Sequence, residues 1–443
     1  MLGEEMYGWA CDLWRYPRSL TGEGVRETLR YFQGVVPSLV IHEIPTGSSA
    51  LDWSVPKEWA IRGAFVQDTR GQRIIDWETN NLSVVGYSVP FSGWVSRGEL
   101  EQHLHSLPEI PEAIPYVTSY YEDRWGFCLQ DRVRQSLVDD EYFVHIDSSH
   151  FQGFLSRGEI LVPGESEEEI ILSSYICHPA MANNELSGPV VLAALARWLG
   201  GLNSLWYSYR ILLGPETIGT LAYLEENLNC LQHKVRAGWV VTCVGDNGPF
   251  SHVPSRKGGT LADRILLRSL GLLNRDVVEY SWNERGSDER QWCAPGVDLP
   301  VCSFTRSKYG TYPEYHTSLD DLNFISPQGL QSSLEVLQMC IRELEKHPRF
   351  FASTAGEPQM GKRGMYPSLS AVGQTLTPSI KLKSGAAVST RDVMNVLSMC
   401  DGDHDFHDIA LRVNLKPGTV DEILKVLTHM EIVQRCKPRW WVR

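Results

Sequence analysis

Four residues able to bind a cation or carry a proton, His178, Glu216, Asp246 and His316, each follow a short apolar run in a chain of 443 residues. The run Glu169 to Ile176 is apolar and β-branched, and Pro189 to Leu199 after it repeats its apolar residues at helical spacing. His178, in the polar turn between them, therefore stands at the carboxyl end of a strand, where open α/β sheets bind ligands. Leu205 to Leu213 leads into Gly214-Pro215-Glu216, Trp239 to Val244 into Gly245-Asp246, and Leu299 to Phe304 precedes Tyr315-His316-Thr317. One histidine after a strand more often caps a turn or bonds a carbonyl. Four such groups on successive strand ends are costly to bring together without a cation, and imidazoles with carboxylates suit zinc with an open coordination position. Asp320 is a candidate to orient His316 through its second ring nitrogen.

Hydrolysis at such a centre needs a carboxylate to take a proton from water, and Glu216 or Glu185 is the candidate. Two arrangements stay open. With Glu216 as base, His178, Asp246 and His316 make a three-ligand open site, the preferred version; otherwise Glu216 is itself a ligand. Asp288 and Glu289 are either holders of a substrate ammonium or an ordinary exposed acidic turn. Other chemistries lose support. Ile41-His42-Glu43-Ile44-Pro45 lacks the second histidine of a His-Glu-x-x-His helix, and the chain has no Gly-x-Ser-x-Gly elbow, phosphate-cradling Gly-x-x-x-x-Gly-Lys-Ser/Thr loop or Gly-x-Gly-x-x-Gly after a strand. Ten cysteines without Cys-x-x-Cys pairs read as reduced and mostly buried, Cys177 included.

The length exceeds what one hydrophobic core serves, so two or three domains are expected. A net charge of -13 argues against nucleic acid and anionic membranes as partners. Met1 to Leu13 carries Glu4 and Glu5 and has no long apolar core, which predicts a cytoplasmic protein. Helices are predicted over Met6–Trp14 and Glu23–Val35. Residues 45–108 read as an inserted β-rich domain, with a hairpin across Trp59 to Trp77. The aromatic patch Tyr120, Tyr121, Trp125 and Phe127 either lines a pocket or packs that insert, and packing is preferred. A helix from Ser326-Pro327 to about Glu345 ends the catalytic domain, formed by 1–44 and 109–350. A linker over 351–387 precedes three helix-like segments and a wing-like Ile432 to Val442, a winged-helix order for 388–443. Its third helix carries Asp421 and Glu422 against Lys425, which favours protein contact, or a homo-oligomer through this domain or the insert, over DNA.

Arg18-Ser19-Leu20-Thr21-Gly22, Val55-Pro56-Lys57-Glu58-Trp59, Trp125-Gly126-Phe127-Cys128, the His178 turn, Asp246, Gly286-Ser287-Asp288-Glu289-Arg290 and Tyr315-His316-Thr317 together resemble the bacterial aminopeptidase-like proteins of the zinc peptidase M28 type. These are associated with polysaccharide biosynthesis and carry an inserted small domain and a C-terminal winged helix. The resemblance implies an α/β fold, a three-layer and mostly parallel sheet. It also implies a zinc aminopeptidase or amidohydrolase that cleaves an amide beside a free amine in a small peptide or amino-acid conjugate. Carried over, the pattern puts His178 and Asp246 on one metal and Glu216 and His316 on a second. Two positions depart from it: Asn184 stands where an aspartate bridges the metals, and Pro215-Glu216 replaces a glutamate pair. One zinc rather than two follows, with Asn184 and Tyr315 left as substrate contacts. A second reading is a decayed site, in which the chain is a peptide- or metabolite-binding scaffold acting through its winged helix.

Overall fold

The computed structural model describes residues 2–363, 379–385 and 387–436. The chain opens with α1 (Leu2–Leu13) and α2 (Glu23–Val35), and α2 buries Val25, Leu29 and Phe32 along one face, as the helical period requires. Then come β1 (Val40–Pro45), β2 (Glu58–Gln67), β3 (Arg73–Asp76), β4 (Phe91–Ser96) and β5 (Glu141–Phe151). The last four form their own antiparallel sheet in the order β3-β2-β5-β4. The hairpin turn is closed by Asp68, whose carboxylate accepts from the backbone N–H groups of Arg70 and Gln72. This sheet takes β5 from outside the 45–108 span expected for it. The alternating burial of 141–151 does not say which sheet a strand will join.

The large sheet is completed by β6 (Phe154–Val162), β7 (Glu169–Tyr175), β8 (Ser208–Gly214), β9 (Val235–Val241), β10 (Phe250–Val253), β11 (Val277–Glu279) and β12 (Val301–Thr305). Its order is β1-β6-β8-β7-β9-β12-β10-β11. The central four, β8, β7, β9 and β12, are parallel, so their carboxyl ends share one edge. The outer pairs β1·β6, β6·β8 and β10·β12 are antiparallel. Strands β7 and β12 are buried at every position, as a parallel sheet covered on both faces demands. Helices α3 (Ser187–Gly200), α4 (Ile218–Lys234), α5 (Leu261–Leu272) and α6 (Pro327–Lys346) follow the strands. At the start of α3 a Cβ on Gly188 would lie 2.2 Å from Ser174 Oγ and 2.3 Å from the Val241 carbonyl oxygen, so glycine is what lets this helix begin against β7 and β9. Strand β9 ends at Val241, earlier than the apolar run through Val244 predicts: the Thr242 N–H makes only a long 3.5 Å bond to the Phe304 carbonyl, and Cys243 takes a positive φ of 50°.

Met1–Asn203 with Ser208–Met339 form one compact unit, and Ser204–Tyr207 with Cys340–Arg443 form a second. The second holds β13 (Arg349–Ala352), α7 (Thr390–Ser398), β14 (Asp401–Asp405), α8 (Phe406–Val413), α9 (Pro417–His429) and β15 (Val433–Cys436), with sheet order β14-β13-β15. Capping boxes at Ser389 with Asp392 and at Asp405 with Asp408 start α7 and α8, and Val393, Ile409, Val420 and Leu424 fill the core. Strand β13 takes up the first residues of the expected linker; its residues 364–378 and 386, and the wing beyond Cys436, lie outside the described residues. Among the described residues no helix is long and apolar enough to cross a membrane, and no disulfide links the cysteines.

Candidate functional site

Each of the first two chemistry-bearing residues emerges where a parallel strand runs out. His178 lies three residues past β7 and Glu216 two past β8, and the Glu216 N–H donates to Cys177 Sγ at 3.2 Å, tying the two strand ends together. Between His178 and α3 the chain makes one wide, fully buried helical turn over Ala182–Leu186. Asp320 pins it: its carboxylate accepts from the N–H groups of Asn183 at 2.6 Å and Asn184 at 2.9 Å, and its carbonyl from Ala182 at 2.8 Å. Asp320 thus supports this turn instead of orienting His316, because the unpaired N–H donors of a helix start are its neighbours.

The turn sends Glu185 back toward His178, where Oε2 meets Nδ1 at 2.7 Å. Behind them Arg18 donates to the carbonyls of His178, at 3.0 Å, and Leu13, at 2.7 Å, and its Nε lies 3.6 Å from Glu185 Oε1. With Nδ1 engaged, Nε2 is the nitrogen His178 offers to the site, and it stands 3.8 Å from Glu216 Oε2. The His316 ring is 5.4 Å from that of His178. Burial, and secondly the charge of Arg18, pushes His178 down to about 3; burial, and secondly His178, does the same to His316. Both imidazoles are therefore neutral at ordinary pH. Burial pushes Glu185 up to about 8 against the pull of Arg18, and burial with the negative charge of Asp288 pushes Glu216 up to about 8. Tyr116 stands edge-on to both imidazoles, at 5.0 and 5.2 Å, and Tyr315 stacks on His316 at 3.9 Å. His316 has a φ of 57°, and its carbonyl accepts the Tyr116 N–H at 2.9 Å, which fixes this left-handed position.

The structure thus brings together His178, Glu185, Glu216 and His316. Asp246 is engaged elsewhere: Oδ2 accepts from Asn183 Nδ2 at 2.9 Å, and Oδ1 from Ser307 Oγ at 2.9 Å and the Gly248 N–H at 2.6 Å. Asn184 Oδ1 accepts from Tyr175 Oη at 2.6 Å. Asp288 and Glu289 are both buried, in contrast to an exposed acidic turn. Asp288 receives the Thr217 N–H at 2.8 Å and Thr220 Oγ1 at 2.9 Å, which anchors the loop carrying Glu216. Glu289 receives Tyr309 Oη at 2.6 Å, Ser303 Oγ at 2.7 Å and the Gly286 N–H at 2.8 Å. Sequence reasoning passed over Arg18 and Tyr116. Neither ends an apolar run, and only the motif Arg18-Ser19-Leu20-Thr21-Gly22 hinted at the first.

As a cation site the donor set is partial: among the described residues the ligand atoms gathered within 4.8 Å of one another here are those of Cys177, His178 and Glu185, with Glu216 and His316 outside that trio. Two neutral imidazoles offer ring nitrogens, Nδ1 of one is backed by a carboxylate, and a neighbouring carboxylate has a raised proton affinity that a cation would lower. The 3.8 Å between His178 Nε2 and Glu216 Oε2 is close to the roughly 3.4 Å that two ligands of one tetrahedral zinc span.

A mixed α/β sheet with polar and imidazole groups at the carboxyl edge of its parallel strands, joined to a winged helix, defines the class: an aminopeptidase-like fold of the M28 zinc-peptidase kind. The zinc aminopeptidase BSAP of Bacillus subtilis shares this fold with a TM-score of 0.56 at 12% identity, covering 77% of this chain and 94% of its own. Residues 7–347 match the family described as Domain of unknown function (DUF4910), and residues 350–435 match a winged helix-turn-helix family. A Clostridium acetobutylicum protein named for polysaccharide biosynthesis and an aminopeptidase-like domain is 36% identical over 436 residues, 98% of this chain and 96% of the relative. The crystal structure of a Clostridium acetobutylicum chain described as a peptidase superposes with a TM-score of 0.79 at 36% identity, covering 98% and 96%. The chain belongs to the DUF4910 family.

Proposed function

We propose that the chain is a zinc-dependent hydrolase that cleaves an amide bond beside a free amine in a small peptide or amino-acid conjugate. The carrying observation is the neutral His178, its Nδ1 held by Glu185 and its Nε2 facing Glu216 across 3.8 Å, with His316 beside it. His178 and His316 are the residues that would hold the ion; Asp246, third in this set, would have to give up its bonds from Asn183 and Ser307. When bound, zinc supplies Lewis acidity that polarises the scissile carbonyl and makes water a stronger acid. Glu216 takes the proton from water at Oε2 and returns it to the leaving amine; burial and the charge of Asp288 raise its proton affinity above that of an ordinary carboxylate, which favours taking up a proton. Glu185 holds the His178 ring through Nδ1, so it is a positioning residue rather than the base. Tyr116 and Tyr315 wall the imidazoles. The fold shared with zinc aminopeptidases supports the reaction class, and the Clostridium relative's name supports a setting in polysaccharide biosynthesis.

A second reading has one observation in its favour. With Asn184 neutral and bonded to Tyr175, and Asp246 already committed, the carboxylates left near the imidazoles are few, as in a chain that binds its ligand without cutting it. Glu216→Gln separates the readings. The hydrolase predicts that zinc content and fold survive while turnover of amine-ended amides falls at least about a hundredfold. Loss of zinc together with turnover would make Glu216 a ligand, and full activity in the variant would refute its role. A zinc-loaded wild type that turns over no such amide favours the binding protein.

A further inference from the structure

Strand β8 ends at Gly214 and α4 begins at Ile218, so Pro215, Glu216 and Thr217 alone carry the chain from strand to helix. They do so through a conformation that few residues accept. Thr217 has a φ of 62° and a ψ of -74°, and the Ile218 N–H donates to the Glu216 carbonyl at 2.7 Å. Those angles with that bond make a γ-turn of the rare, strained kind. Threonine is an unfavourable residue for it, because both branches at Cβ crowd the backbone at positive φ. Backbone strain persists only where the surroundings hold it, and it gathers at functional sites.

The hold comes from a segment 71 to 73 residues further along the chain. Buried Asp288 accepts the Thr217 N–H at 2.8 Å through Oδ1 and Thr220 Oγ1 at 2.9 Å through Oδ2, so one carboxylate spans the γ-turn and the first turn of α4. Arg290 Nη2 donates to Thr217 Oγ1 at 2.7 Å. Close packing is incomplete here: Pro215, Gly219, Thr220 and Asp288 are among the walls of a cavity of about 20 Å³, room for about one water. On the other side of the turn, the Glu216 N–H is fixed to Cys177 Sγ at 3.2 Å. Relaxing Thr217 to a helical φ would rotate it by about 120°. Because Ile218, Leu221 and Ala222 anchor α4 in the core, the Glu216 carboxylate is what would swing.

We propose that Thr217 is a positioning residue: its strained turn, held by Asp288 and Arg290, aims the Glu216 carboxylate at His178 Nε2, 3.8 Å away. The inference rests on the proposed role of Glu216 as the base, and it gives the acidic turn at Asp288 the task of keeping Thr217 from relaxing.

The test is Asp288→Asn, which sets an amide NH2 against one of the two donors, alone and combined with Thr217→Gly. Glycine accepts a positive φ freely, so the double variant has no strain to release. Both are made in the full, zinc-loaded chain, with thermal denaturation reporting whether each is folded. In crystals of Asp288→Asn, Thr217 should show a negative φ and Glu216 Oε2 should lie farther than 3.8 Å from His178 Nε2; in the double variant the carboxylate should return. With an amine-ended amide, kcat should fall about tenfold or more in Asp288→Asn and recover to within about threefold of the wild type in the double variant, KM and zinc content being unchanged. A loss caused by the missing charge of Asp288, or by general loosening, would not be restored by glycine. Should Asp288→Asn fail to fold, Arg290→Ala, at the exposed end of the hold, serves in its place with the same outcomes. Thr217 still at positive φ in the folded variant with the 3.8 Å distance kept overturns the proposal, as does a kcat loss that glycine fails to recover. A wild type without amide turnover, together with a re-aimed Glu216 in the variant crystals, refutes the hydrolase and keeps the turn. Equal turnover by wild type and variant keeps the hydrolase and refutes the turn.

Discussion

Replacing Gly188 by alanine tests how α3 holds the site, because one methyl group is added where the structure has no room. Its Cβ would lie 2.2 Å from Ser174 Oγ, 2.3 Å from the Val241 carbonyl oxygen and 3.1 Å from the Val241 carbonyl carbon. Ser174 Oγ can rotate only by breaking its 2.7 Å bond to that same carbonyl, worth about 1 kcal/mol, and Val241 is backbone in a buried parallel strand. The helix start must then back away by about 1 Å, an overpacking that costs about 1–3 kcal/mol more. A total near 3 kcal/mol lowers the midpoint of thermal unfolding by roughly 6 °C at about 2 °C per kcal/mol. The same displacement carries Asn183, Asn184 and Glu185 with it, so the 2.7 Å bond from Glu185 to His178 is the first to lengthen. Gly8→Ala is the matched control: it lies inside α1 with nothing within 4 Å of the added carbon, and should stabilise by about 0.5–1 kcal/mol. Calorimetric unfolding of both variants decides the matter. A midpoint for Gly188→Ala no lower than that of the wild type would show that α3 does not need this close approach.

Glu185→Gln, with the fold intact by circular dichroism, should weaken zinc binding by about 10–100-fold in a chelator competition; unchanged affinity would deny Glu185 its hold on His178. Asp263 caps α5 and bonds His252 at 2.9 Å and Ser255 Oγ at 2.6 Å. Although burial opposes it, these bonds hold its carboxyl down to about 2 from 3.8. A depressed carboxylate stabilises above its unfolded value and loses that contribution as pH falls through the folded one. Asp263→Asn should therefore cost about 2 kcal/mol in denaturant unfolding at pH 7 and converge on the wild type near pH 2; a gap independent of pH would refute the assignment. In the winged helix, Lys425 is paired with Asp421 at 2.5 Å, and Glu422 lies beside them on α9. Fluorescence anisotropy should find no binding to duplex DNA even at low salt, and tight salt-dependent binding would overturn the charge argument.

Most of the architecture was legible because its signals are local. The apolar run 169–176 became β7, Glu23–Val35 became α2 at both ends, and Ser326-Pro327 opened α6 with the serine as cap and the proline first. The ends of strands were also enough to bring His178 and Glu216 near one another, since parallel strands must deliver their carboxyl ends to one edge, whereas His316 arrives on the loop well beyond β12 and is held there by the Tyr116 N–H. What stayed hidden depends on directions of side chains. Asp246 follows β9 as Glu216 follows β8, yet the left-handed Cys243 turns its segment so that Asn183 and Ser307 receive the carboxylate. Glu185, one turn before α3, reads as a candidate base until the wide turn of 182–186 aims it at Nδ1 from behind. Arg18 lies 160 residues from His178, whose carbonyl it holds, and nothing in its own segment announces that partner.

Charge balance connects these residues to the number of ions the site can take. Arg18 and Glu185 lie 3.6 Å apart in the interior, but burial pushes the Glu185 carboxyl up to about 8, so it offsets Arg18 only in part near neutral pH, and both imidazoles are neutral. Asn184 brings no charge, and the carboxylate of Asp246 is already met by four neutral donors beside Arg306, whose burial holds its own proton affinity down. Near the two rings this leaves the charge of Glu216 to face a divalent cation. One zinc against one carboxylate leaves a single positive charge, which a hydroxide ion or the carboxylate end of a released product can neutralise. A second zinc would raise the uncompensated charge to three in a setting that penalises even one, since taking an ion out of water costs several kcal/mol unless it is paired. An aspartate at position 184 would reduce that excess; the neutral asparagine that stands there does not.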